Sequence, residues 1–239
     1  MARLFRVYLL WERPEVRLFS NTAVLLRKEL QAEFRSHELL TTASVFILIV
    51  IVLFSFTFDP TSAESKQFGP GLLWLAFLFS ASLMMQPSFL KERTNDTLSA
   101  LRLAIHDPFA IFLAKLCANT IFLLITQLLL LLVFGVFYNI AVLSVFPQLA
   151  FVFFLGSLGI STTGTALSAI SSQARMREVL LPLLLLPLLV PVLIPSAEAT
   201  KALFEPEHSL RWDWLGMLIA FDVVFLTALW LFGEYLLEE

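Results

Sequence analysis

The chain has 239 residues, 16 Lys and Arg against 19 Asp and Glu, a net charge of −3 and a hydrophobic fraction of 59%, where soluble domains sit nearer about 45–50%. The balanced charge lacks the basic footprint of a nucleic-acid-binding protein, and one cysteine, Cys117, excludes an internal disulfide and any C-x-x-C site. The apolar excess falls in six runs of about twenty residues, the length that crosses a bilayer. They nearly exhaust the chain, so the predicted fold is all-α, a single membrane domain with no room for a sizeable soluble one.

Residues 1–21 mix Arg3, Arg6, Arg13 and Arg17 with Leu4, Phe5, Leu9, Leu10 and Trp11, which predicts a loosely held, membrane-proximal extension. The first forty residues are too charged for a cleaved signal peptide. In 22–38, Leu26, Leu30 and Phe34 recur at i, i+4 and i+8, and Ala23 and His37 extend the stripe. Arg27, Lys28, Glu29, Gln31, Glu33 and Arg35 fill the opposite face. This pattern predicts an amphipathic helix lying in the plane of the lipid interface, in contact with membrane lipid. The first span is expected over 39–58, ended by Asp59-Pro60. A polar loop then leads through Gly69-Pro70-Gly71 to a second span over 72–90, which Pro87 is expected to bend.

The longest loop on the side of the N-terminus follows, from Lys91 to Pro108. Thr94, Asn95 and Asp96 are capping residues in front of a short predicted helix that places Leu98, Leu101 and Ile105 on one side, with Glu92, Arg93 and Arg102 flanking it. Asp107-Pro108 begins the next helix, with Asp as cap and Pro in the first turn. On spacing alone the short helix is either a coupling element that docks on a cytoplasmic ATPase or an ordinary solvated connector.

The third span is expected over 111–137 and the fourth over 149–171. The second half of the fourth is dense in Gly, Ser, Thr and Ala from Gly156 to Ala169. Small residues let helix backbones approach, and hydroxyls can bond across the contact, so this helix is expected at the centre of the bundle or at a subunit interface. A break with Arg175 and Arg177 precedes the fifth span, 179–195, which carries Pro182, Pro187, Pro191 and Pro195. The last three lie at i, i+4 and i+8, each removing a backbone donor, so a kinked or partly unwound helix is expected. A polar loop over 196–213 leads to the sixth span, 214–231.

Twelve of the sixteen Lys and Arg residues fall before the first span, in the 91–108 loop or in the 172–178 break, against three in the other loops (Lys66, Lys201 and Arg211). The positive-inside rule then places both termini in the cytoplasm. Asp222 stands in the middle of the sixth span. It is expected either to line a substrate or proton path or to hydrogen-bond a hydroxyl of a neighbour such as the fourth span. His37, His106 and His208 each stand alone, so surface or interface histidines are expected rather than metal or haem ligands. No phosphate-binding loop, zinc-hydrolase motif or nucleophile elbow occurs, which predicts a chain that is not an enzyme and does not hydrolyse ATP by itself.

Several stretches resemble one family. They are Leu26-Arg27-Lys28-Glu29-Leu30 through Phe34-Arg35-Ser36-His37-Glu38-Leu39-Leu40, then Gly71-Leu72-Leu73-Trp74-Leu75-Ala76-Phe77 and Phe89-Leu90-Lys91-Glu92-Arg93. The proline-rich helix from Pro182 to Pro195 follows, with Trp214-Leu215-Gly216, Ala220-Phe221-Asp222 and the Glu234 to Glu239 tail. In order and spacing they resemble the CcmB family, the haem-exporter B subunit of cytochrome c maturation, over about residues 24–239. The resemblance implies an ABC-2 type permease of the bacterial inner membrane, with an interfacial elbow helix and a loop between the second and third spans that docks on a separate ATPase subunit. It also implies haem-handling membrane subunits as partners, a second copy of the chain, and haem as cargo rather than as a resident cofactor. ATP-driven release of a loaded haem chaperone is an equally coherent role, and an ABC-2 permease for another cargo (a lipid, glycan or drug) or a non-transport membrane scaffold are the alternatives. Closure of the ATPase dimer would push the helix around Asn95–Leu103 and the Arg175–Glu178 turn, and the fourth and fifth spans would rearrange in response.

Overall fold

A computed structural model describes residues 14–57, 63–90, 101, 108–138, 142–172, 174, 177–205 and 209–233. The described residues form seven α-helices and one short 3-10 turn, Val142–Ser144. In chain order the helices are α1 (Pro14–Ser36), α2 (Glu38–Thr57), α3 (Ala63–Met85), α4 (Pro108–Tyr138), α5 (Phe146–Ser171), α6 (Arg177–Phe204) and α7 (Trp212–Phe232). Six of them, α2 to α7, are long and apolar enough to cross a membrane.

The amphipathic segment is longer than expected, because α1 already starts at Pro14, a residue suited to a first helical turn. It stops at His37, whose φ of 53° lies in the left-handed region. That reversal separates α1 from α2 without a loop. Glu33 makes the corner possible: it is buried, and its Oε1 accepts a hydrogen bond from the Leu40 amide at 2.9 Å. A carboxylate there satisfies one of the free N–H groups of α2 and sits at the positive end of its dipole. Glu33 was expected on the solvated face. Glu33→Ala is expected to cost about 1–2 kcal/mol, read as a lower thermal midpoint of the detergent-solubilised protein. His37→Gly, which removes the conformational penalty, should leave that midpoint unchanged or raised.

Three span boundaries differ from expectation. Helix α3 starts at Ala63 and runs straight through Gly69-Pro70-Gly71, since proline's fixed φ is itself helical and one lost donor does not stop a long apolar helix. Pro87 does not bend that helix, which already ends at Met85 and passes into a turn over 86–89. The residue before a proline disfavours helical geometry, which accounts for an end just ahead of it. Helix α6 does not stop at Pro195 but continues to Phe204 through Ala197, Ala199 and Ala202, so the first half of the expected 196–213 loop is helix.

The helices run alternately up and down. One end of the bundle holds the α1–α2 corner, the turn after α3, the start of α4 and the end of α7, where Gly233 lies against Phe109. This is the loop end, because residues 91–107 leave from it. At the far end Phe134 of α4 stacks on Phe204 of α6, ring centroids 6.4 Å apart. Helix α5 packs against α3, α4, α6 and α7 and is the most buried span, whereas α2 has one narrow buried edge, Ala43, Ile47 and Ile51.

Candidate functional site

The small residues of α5 meet its four neighbours in two ways. Toward α4 its hydroxyls form a ladder of buried hydrogen bonds. Ser157 Oγ donates to Gln127 Oε1 at 2.8 Å, Ser161 Oγ to the Leu116 carbonyl at 3.0 Å, and Asn119 Nδ2 donates to Thr165 Oγ1 at 2.9 Å. Toward α3, Ser168 Oγ donates to the Met85 carbonyl at 2.9 Å, the last residue of that helix. Interhelical hydrogen bonds of this kind in membranes contribute about 0.6 kcal/mol each, so the ladder fixes register more than it supplies stability.

Toward α3, α6 and α7 the glycines permit close approach. A β-carbon on Gly156 would collide with the Trp74 ring, lie 2.6 Å from its Cζ3, and lie 2.9 Å from Ser196 Oγ. Trp74 is fully buried, packs edge-on against Phe77 and Phe153 with centroids 5.7 and 5.4 Å away, and donates from Nε1 to Thr200 Oγ1 at 2.9 Å. That one ring joins α3, α5 and α6. A β-carbon on Gly164 would meet only the flexible end of Met85.

Asp222 of α7 does face the fourth span, but it meets a glycine rather than a hydroxyl. It is 4% exposed, and a β-carbon on Gly159 would lie 2.8 Å from its Oδ1 and 3.1 Å from Val192 Cγ2. Among the described residues neither carboxyl oxygen has a hydrogen-bond partner, so of the two expectations the bond to a hydroxyl of the fourth span is not met there. A buried carboxyl group without partners destabilises the fold. Asp222→Asn, of equal size and no charge, is therefore expected to raise the thermal midpoint of the solubilised protein by a few degrees, about 1 kcal/mol. A lower midpoint would show that the carboxylate is bonded in the folded protein.

At the loop end a second polar cluster surrounds Lys115 of α4. This side chain is 3% exposed. Its Nζ lies 3.4 Å from Glu29 Oε1 of α1, donates to the Ser88 carbonyl, and sits 5.1 Å from the centroid of the Phe89 ring. Asn119, one turn further along α4, also reaches Ser88 Oγ at 3.4 Å. Ser88 and Phe89 belong to the segment that leads into the 91–107 loop. Lys115 and Asn119 stand four residues apart inside an apolar run, so they share a helix face. That spacing was the available signal for the cluster, and the sequence reading gave Lys115 no role.

Of the residues expected to couple to an ATPase, Leu101 packs half-buried on the apolar cluster of Leu25, Phe89, Ile111 and Phe112 at the loop end. Glu92, Arg93, Asn95, Asp96, Leu98, Arg102 and Arg175 lie outside the described residues, and Arg177 opens α6. On α1, Leu26 and Leu30 are half-buried and Phe34 is 53% exposed. The face packed on the bundle is centred instead on Thr22, Leu25 and Glu33. Leu26, Leu30 and Phe34 line a shallow groove with Ala23, Arg27, Gln31 and Arg35. Helix α6 is continuous through all four prolines rather than unwound. Its buried stripe is Leu181, Leu185, Leu189, Val192, Ser196 and Leu203, while Pro187 and Pro191 are exposed and Pro195 is buried. The two outward prolines therefore do not contact the rest of the bundle core.

Comparison with known proteins adds the decisive observation. The model of the CcmB protein family matches residues 20–232. The chain belongs to the CcmB family. The CcmB match takes in all six spans, most of α1 and both loop-end segments. The heme exporter protein B of Pseudomonas aeruginosa is 29% identical over 180 residues, 75% of this chain and 80% of that protein. Those of Haemophilus influenzae and Paracoccus denitrificans are 28% and 31% identical, each over 74% of this chain and 80% and 81% of their own length. With six apolar helices, this CcmB-family chain is a multi-pass membrane protein.

Proposed function

We propose that the chain is the permease subunit of an ABC transporter that exports haem, or releases a loaded haem chaperone, in cytochrome c maturation. The observation that carries this reading is the CcmB family match across nearly the whole chain, together with relatives named heme exporter protein B. The permease is not itself catalytic; a separate ATPase subunit supplies ATP hydrolysis. The termini and the loop end face the cytoplasm, where Lys and Arg are concentrated. Helix α1 lies along the inner leaflet with Leu26, Leu30 and Phe34 toward the lipid, a reading supported by the exposure of Phe34 beside Arg27 and Arg35.

The ATPase docks on the 91–107 loop and the 172–177 turn. One copy of this chain offers one such surface, so an ATPase dimer calls for two copies. The half-buried Leu101 supports the loop as a docked element rather than a free connector, because it ties the loop to the bundle. Deleting the gene is expected to abolish covalent haem in c-type cytochromes while leaving non-covalent b-type haem intact. Haem-stained gels and difference spectra of membranes check this, and unchanged c-type cytochromes would overturn the haem reading.

A further inference from the structure

We propose that Lys115 is a positioning residue that holds the root of the 91–107 loop and passes its displacement to α1, with Asn119 on the same face of α4 carrying it to α5. The inference rests on the reading above, in which an ATPase acts on that loop. Three features of the structure carry it.

First, the root of the loop is a turn and not a continuation of α3. Helix α3 ends at Met85, Pro87 has no N–H, and the turn beyond is closed by Gln86 N to Ser82 O at 3.3 Å and Ser88 N to Met85 O at 3.1 Å. Side chains of α4 add to the support of Ser88 and Phe89. Second, Lys115 holds both, through the Ser88 carbonyl and the Phe89 ring, from a position that is 3% exposed. An ammonium group has three donors and no acceptor. It can bind a carbonyl, a carboxylate and an aromatic face together, which no neutral side chain of similar length does.

Third, the same Nζ lies 3.4 Å from Glu29 of α1, and Asn119 on the same face of α4 joins Ser88 to Thr165 of α5. Glu29 also pairs with exposed Lys28 at 3.3 Å, and its side chain is 24% exposed, so it lies at the edge of the cluster. Lys115 sits inside it. The loop root, the amphipathic helix and the small-residue helix thus meet at one face of α4. A push on the loop reaches Ser88 and Phe89 first, then α1 through Lys115 and α5 through Asn119.

The test uses the full chain co-expressed with the ATPase subunit that it brings down from membranes, comparing Lys115→Met, Lys115→Arg and Glu29→Gln. Lys115→Met is expected to retain the ATPase in the purified complex yet lose stimulated ATP hydrolysis at least about tenfold, with basal hydrolysis of the ATPase unchanged. Lys115→Arg, which keeps charge and donors, should recover most of the stimulation. Glu29→Gln should lose it a few-fold at an unchanged thermal midpoint, an outcome that a purely structural staple would not give. Stimulation at the unaltered level in Lys115→Met overturns the proposal. If Lys115→Met fails to accumulate, unaltered stimulation in Glu29→Gln overturns it instead. Failure of the unaltered chain to bring down any ATPase is a separate result, which overturns the reading of the function.

Discussion

Gly156→Leu is expected to prevent accumulation of folded protein, and Gly156→Ala to lower its stability by about 1–3 kcal/mol. The sign is decided by two opposed terms. Alanine gains about 1 kcal/mol over glycine in a helix interior. Against that, the new β-carbon collides with the Trp74 ring, which has no room to withdraw. Phe77 and Phe153 stand edge-on to it, Thr200 holds its Nε1, and Ser196 Oγ already lies 2.9 Å from the β-carbon position. Gly164→Ala makes the control. The three atoms nearest its β-carbon all belong to the unbranched side chain of Met85, so the helix-propensity gain should balance the displacement and leave stability within about 1 kcal/mol of the parent. Thermal melting of the two alanine variants in one detergent checks the difference. Unchanged or raised stability in Gly156→Ala would show that α5 does not approach α3 and α6 closely.

Charge reversal at the loop is expected to have the second large effect. Glu92→Lys, Arg93→Glu and Arg102→Glu should each insert normally yet lower ATP hydrolysis by the assembled complex by about tenfold or more, equivalent to about 1.4 kcal/mol of lost interaction. The reasoning is electrostatic complementarity: a docked loop meets a partner of matching charge, and a reversed charge leaves a repulsive, desolvated contact. Leu101 packs on the apolar cluster that includes Phe89 and Phe112 at the loop end, so this residue is taken up by its own bundle. Leu101→Asp should therefore act differently from the charge reversals, weakening the attachment of the loop to its own bundle and lowering the thermal midpoint. Unaltered coupling in all three reversals would remove the loop from the ATPase interface.

Much of this architecture is legible in the sequence because a bilayer imposes one length and one composition on every span. The density of small residues between Gly156 and Ala169 places α5 at the centre without any tertiary information. Prolines misled in both directions. Pro70 and Pro195 mark no helix end, because a fixed helical φ is compatible with a long apolar helix, whereas Pro87 lies beyond an end and not at a bend. The amphipathic stripe of Leu26, Leu30 and Phe34 is not the face of α1 that packs on the bundle. The faces centred on Leu26 and on Leu25 differ by about 100° of helix rotation, and Glu33 points inward because the left-handed turn at His37 brings the start of α2 over it. No periodicity encodes a corner. The Lys115 cluster needs the turn after α3, α1 and α4 to converge, so only the Lys115 and Asn119 pair is visible in one dimension. The partnerless state of Asp222 was equally hidden, since a serine-rich neighbour turns a glycine toward it.

A tagged pull-down of the full chain from native membranes, with ATP hydrolysis assayed on the recovered complex, tests the central claim most directly. Co-purification of an ATPase subunit together with haem-handling membrane proteins, and hydrolysis that depends on the tagged chain, is the predicted result. Recovery of the folded chain with no ATPase, in a detergent that preserves its thermal transition, would contradict it.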